Sequence, residues 1–168
     1  MARRSLVTDQ IHVEAWLADS VVAPPDGKLY IQGGGWNIIH TPTVPVRQQR
    51  VGVAALIQVP YHLANSEPHK FTIRLEDEDR QVVPLGDAPL GTTTSDGKIR
   101  EIGGTFTVGR PAGLAPGDEQ QIPIAMNLDG LIFNTAGAYA FVIAVDEKDL
   151  KRLRFRINQI PQPGAIVR

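Results

Sequence analysis

The chain has no cysteine. That excludes disulfide staples, thiol nucleophiles and thiolate metal centres, and it fits a reducing compartment such as the cytoplasm. Long hydrophobic runs are missing too. The longest, residues 138–145, falls far short of the ~20 residues a membrane-spanning helix needs. At the N-terminus, Arg3 and Arg4 carry the charge of a signal peptide, but only Leu6 and Val7 precede the polar Thr8 and Asp9, so no apolar h-region follows. Neither sign of charge dominates. Lys and Arg total 17 against 18 Asp and Glu, a formal net charge of -1, which argues against a dedicated binder of nucleic acid or of an anionic membrane. These absences together predict a soluble, unexported, cytoplasmic protein.

Motifs that carry chemistry are absent as well. There is no Gly-x-Ser-x-Gly elbow and no His-Glu-x-x-His pair. The four histidines, His12, His40, His62 and His69, lack zinc-type spacing. The glycine run Gly33, Gly34, Gly35 is followed by neither Lys-Ser nor Lys-Thr and opens no helix, so it is no phosphate loop. The sequence thus predicts no catalytic residue, no metal ligand and no cofactor, and a protein that is not an enzyme.

What is present is turn chemistry and alternation. The 168 residues include 16 Gly and 13 Pro, and 42% are hydrophobic, which suits many short strands around a real core. Residues 10–18 alternate, with Ile11, Val13, Ala15 and Leu17 on one face and His12, Glu14 and Trp16 on the other. Further strands are expected at 28–32, 36–40, 51–59, 71–76, 99–102, 105–108 and 122–128, with a short helical turn at 61–65. Residues 41–50, with Pro42 and Pro45, read as a connection, and Asp129-Gly130 as a turn. The 85–97 stretch reads as the most mobile loop.

Residues 138–145 are apolar on both faces, the mark of a strand buried mid-sheet. Their hairpin partner is 152–157, where Leu153, Phe155 and Ile157 face in and Arg152, Arg154 and Arg156 face out. Phe133, Gly137 and Tyr139 are spaced like a tyrosine corner, in which the hydroxyl ties back to upstream backbone. The fold expected is all-β: a single antiparallel β-sandwich of about nine strands, immunoglobulin-like or C2-like. It forms one domain over 1–168, with short extensions at 1–9 and 159–168.

The residues Asp26-Gly-Lys-Leu-Tyr30, then Gly33-Gly-Gly-Trp36, the acidic hairpin at 75–79 and the Gly-x-Tyr strand at 137–139 resemble a bacterial family of small uncharacterised β-sandwich proteins. The resemblance covers residues 10–158, nearly the whole chain. Arg80 departs from it, standing where the family usually places glycine in the acidic turn. The resemblance implies a fold and no chemistry.

Three features compete as sites. The acidic run 76–79, with Asp146 and Asp149 as a second loop, offers oxygens to calcium, or is a solvated hairpin tip. Arg152, Arg154 and Arg156, flanked by Lys148 and Lys151, form a cationic ribbon that could dock an acidic partner, or is a solvated outer face. The tail residues Ala165, Ile166 and Val167 are apolar beyond the last strand and could pair with a sheet edge. Trp16, on the polar face of its strand, is expected to be covered within the monomer. The leading functional expectation is a non-catalytic binding or assembly module, with a protein partner or self-association through edges and tails, and no nucleic acid or membrane. The alternative is a small-molecule or calcium-binding sandwich using the 85–97 loop and the acidic turns.

Overall fold

Alternation in the first strand carries directly into burial: Val13, Ala15 and Leu17 are buried while His12, Glu14 and Trp16 face out. The computed structural model describes residues 10–90 and 94–161. In chain order the strands are β1 (His12–Ala18), β2 (Ser20–Val22), β3 (Tyr30–Gln32), β4 (Ile38–Thr41) and β5 (Val46–Pro60). A 3₁₀ turn, Tyr61–Leu63, falls where the short helical turn is expected. There follow β6 (Pro68–Asp77), β7 (Val82–Val83), β8 (Gly86–Asp87), β9 (Lys98–Ile99) and β10 (Glu101–Thr107). The last three are β11 (Glu119–Phe133), β12 (Gly137–Val145) and β13 (Lys148–Gln159).

The protein is all-β. The two larger sheets have the orders β1-β5-β11 and β10-β6-β12-β13-β4, the latter with β7 paired to β6; β2-β3 and β8-β9 form two-stranded sheets of their own. The main core draws on both larger sheets. Val13, Val53, Ile57 and Phe133 from the first sheet meet Ile73, Leu75, Phe141, Ile143 and Phe155 from the second. β12 is flanked on both sides and nearly all buried, as its two-faced apolar sequence requires.

Four expectations need correction. The sheets are not wholly antiparallel, because β4 pairs β13 in parallel, Ile38 opposite Arg156. Residues 46–50 are strand, not connection: Arg47, Gln48 and Arg50 lie opposite Ile132, Leu131 and Asp129 in the β5–β11 ladder. Asp129-Gly130 is no turn. β11 runs through it, with Gly130 at φ +72° and the register unchanged on either side, so glycine lets the long strand coil without ending. Trp16 is not covered, being 37% exposed. β2 and β3 fold back over Ala18 and Ala54 instead, where Val21 and Leu29 close a small second cluster and Asn127 clasps both backbone groups of Val21.

The hairpin joining β12 to β13 has only two residues in its loop, Asp146 and Glu147, at φ +49° and +65°. Positive φ at both positions is the type I′ geometry, which favours glycine at the second. Asp146 is held by its own contacts, whereas Glu147 is exposed. Glu147→Gly is expected to raise the unfolding free energy by about 0.5–1 kcal/mol, measured by the urea midpoint.

Candidate functional site

Alternation on β13 sends Phe155 and Ile157 into the core and leaves Arg154 and Arg156 exposed. The adjacent positions on β12 are small: Ala138 opposite Arg156, Ala140 opposite Arg154, Val142 opposite Arg152. The outer face of the sheet is therefore a low apolar floor beneath long cationic side chains, whose stems cover it.

The three arginines are not equivalent. Arg152 Nη1 lies 2.8 Å from Glu76 Oε2, a contact that lacks hydrogen-bond alignment. Arg74 donates through Nε to Glu76 Oε1 at 2.8 Å and makes a two-pronged pair with Asp149 at 2.8 and 2.7 Å. Glu76, only 5% exposed, is thus buried between two guanidinium groups. The Arg74 hydrogen bonds hold the Asp149 carboxyl below its usual range, and Asp149 in turn, with Glu76, raises Arg74 further above its own. No carboxylate among the described residues pairs with Arg154 or Arg156.

A depression of about 270 Å³ lies over Ala138 and Ala140, lined by Arg80, Arg152 and Arg154 together with Asp77 and Glu78. The β6–β7 turn brings Arg80 there, at φ +61°. That left-handed backbone is the physical reason glycine suits this position. Asp77 Oδ1 is already taken by the turn amides of Asp79 and Gln81 at 3.0 and 2.8 Å.

Asp146, in the other acidic turn, is likewise committed. Asp146 accepts from Lys70 N at 3.0 Å and sits 2.7 Å from His69 Nδ1. Burial opposes ionisation of Asp146, but these hydrogen bonds prevail and its carboxyl lies below the usual range. The two loops expected to share calcium therefore spend these carboxylates on protein partners. Among the described residues no group of three or more His, Cys, Asp or Glu could hold a metal ion. His69 stacks on Phe106 at 5.4 Å, and the pair with Asp146 ties β6 to the β12–β13 turn.

The 85–97 stretch is only partly a loop. β8 and β9 pair within it and beside it, with Leu85 N donating to Ile99 O at 2.7 Å. Residues 91–93 lie outside the described residues, as do Ala165, Ile166 and Val167. Sequence reasoning placed Arg152, Arg154 and Arg156 on one outer face, and the structure agrees. It missed Arg74 altogether, and it read Glu76 as part of a calcium-binding or solvated turn and Arg80 only as a departure from the family pattern, not as neighbours of this face. The outward parity of Arg74 and Glu76 in 71–76 was the available signal, but which strand they would neighbour was not.

A profile for a family of unknown function (DUF6941) matches residues 14–158. The chain belongs to that family. The matched span agrees with the resemblance read from the sequence over 10–158. No curated protein matches the DUF6941 chain. Among solved structures, the Pseudomonas fluorescens alkylpurine DNA glycosylase AlkC bound to DNA containing an abasic site analog is similar over 88% of this chain, at 9% identity and a TM-score of 0.40. The DUF6941 chain spans 30% of that glycosylase chain, and a likeness this distant carries no argument. No helix among the described residues is long and apolar enough to cross a membrane.

Proposed function

We propose that this DUF6941 chain is a non-catalytic binding module, an immunoglobulin-like β-sandwich that docks an acidic protein segment on the outer face of β13. The sandwich reading is supported by Tyr139, whose hydroxyl donates to Thr135 O at 2.8 Å, the backbone tie that a tyrosine corner makes. The docking reading rests on one observation: Arg154 and Arg156 stand exposed and side by side, with no carboxylate partner among the described residues, over a floor of small side chains. An extended segment can approach such a floor closely, and its carboxylates can take guanidinium groups in two-pronged pairs. Arg80, beside the same depression, widens the cationic surface.

The test uses a labelled decaglutamate peptide and fluorescence anisotropy. Binding is expected at low ionic strength, weakening as salt rises, because exposed charges are screened. The double reversal Arg154→Glu, Arg156→Glu is expected to weaken it by roughly tenfold or more. Unchanged binding by the double reversal, or no binding by the native chain at low salt, would overturn the docking reading.

A further inference from the structure

A second depression shares no lining residue with the one on the arginine face. It has a volume of about 460 Å³ and lies between the β8–β9 arm and the part of the β5–β11 ladder that coils at Gly130. That volume falls within the ~300–1,000 Å³ typical of small-molecule sites. Val83, Pro84, Leu85 and Ile132 give it an apolar side, while Arg47 and Asn134 give it polar ends.

Its charges are unequally committed. Asp129, in the lining, is bound by Arg50 at 2.6 and 3.1 Å. Asp87, also in the lining, is bound by Lys98. The Arg47 side chain has no carboxylate or hydrogen-bond partner among the described residues, although both of these acids line the same cleft. One cationic group is therefore left over.

Gly130 gives that group its seat. A Cβ built on Gly130 would come within 2.8 Å of Arg47 Nη2 and 3.1 Å of its Nε. The guanidinium thus rests against the glycine backbone, in space that any other residue would fill. The same glycine is the point at which β11 takes φ +72°. The same residue thus lets the strand coil and leaves room for the unpaired cation.

We infer that this cleft binds a small organic anion, a carboxylate carried on an apolar body, with Arg47 taking the carboxylate and the Val83–Leu85 side taking the apolar part. The two neutralised acids exclude a ligand that depends on finding free carboxylates. A planar guanidinium prefers a carboxylate that it can grip with two hydrogen bonds. The inference does not depend on the β13 docking face.

The experiment titrates the full chain, ¹⁵N-labelled, with benzoate and with octanoate, and uses benzamide as the uncharged counterpart of benzoate. At least one of the two carboxylates is expected to shift the amide signals of Gly86, Gly130 and Leu131 saturably, with benzamide weaker. Arg47→Gln, at an exposed position that leaves the core untouched, is expected to weaken the carboxylate by roughly tenfold, the scale of one lost charged hydrogen bond. The variant Arg154→Glu, Arg156→Glu is expected to leave it unchanged. Absence of shifts at these amides with either carboxylate, equal binding of benzamide, or equal binding by Arg47→Gln would each overturn the assignment.

Discussion

Phe155→Ala is expected to lower the unfolding free energy by about 3–5 kcal/mol, the range for deleting a buried aromatic ring. Phe155 is 4% exposed and sits at the centre of a cluster of four other aromatic rings. Phe141 stacks on it at 5.6 Å and Tyr139 at 5.9 Å, while Phe133 and Trp36 meet it edge-on at 5.7 and 6.2 Å. Four rings from three different segments lose their common neighbour at once, so collapse around the void would require several strands to shift together. Trp36 adds an optical readout. Its indole N–H is buried without a hydrogen-bond partner among the described residues, so packing against them holds the ring. The variant is therefore expected to show a lower urea midpoint and a red-shifted native emission. Trp16, already 37% exposed, contributes a constant background. A loss under about 1 kcal/mol would mean that the surrounding rings close the cavity.

The legible part of this fold is the part governed by period-two burial. β12 announced itself because both of its faces are apolar, and β13 because Phe155 and Ile157 alternate with arginines. Tyr139 was readable because a glycine and a phenylalanine stand at fixed offsets before it, and its hydroxyl does bind Thr135 O. Local punctuation misled elsewhere. Pro45 and the polar run after it hid the first five residues of β5, whose partners lie some 80 positions away in β11. Asp129-Gly130 has turn composition, but a long antiparallel partner overrides it. The parallel β4–β13 pair had no local signal at all, since nothing in Ile38–Thr41 distinguishes a parallel neighbour from an antiparallel one. Sites suffered for the same reason. The outward direction of Arg152, Arg154 and Arg156 is a one-strand property, while the pairing of Arg152 with Glu76 depends on β6 and β13 flanking β12. The cleft beside Arg47 depends on four separate stretches of chain and was not readable.

Glu76→Gln is expected to destabilise the fold and, with opposite sign, to strengthen anion docking. Glu76 neutralises Arg74 on one side and Arg152 on the other, both at 2.8 Å. Removing its charge leaves Arg152 with no ion pair among the described residues, only the more distant charge of Asp149, while Arg74 keeps its pair with Asp149. Breaking a fully buried ion pair from one side costs about 3–5 kcal/mol; here the arginine side chains are 21% and 29% exposed, and water reaching them reduces the expected loss to about 2–3 kcal/mol. For a chain of this size that corresponds to a melting temperature lower by roughly 5–10 °C. Replacing the Glu76–Arg152 pair by two leucines, next to Val142 and Ala140, is expected to recover most of it, since apolar packing often equals a buried ion pair. Arg152 also lines the depression shared with Arg80 and Arg154. Freed from Glu76, it becomes a third uncommitted guanidinium on that face. The glutamine variant is then expected to bind decaglutamate a few-fold more tightly at low salt, while the double-leucine variant gains nothing. Lower stability with unchanged or weaker binding would place Arg152 in the architecture of the sheet alone and confine the docking surface to Arg154, Arg156 and Arg80.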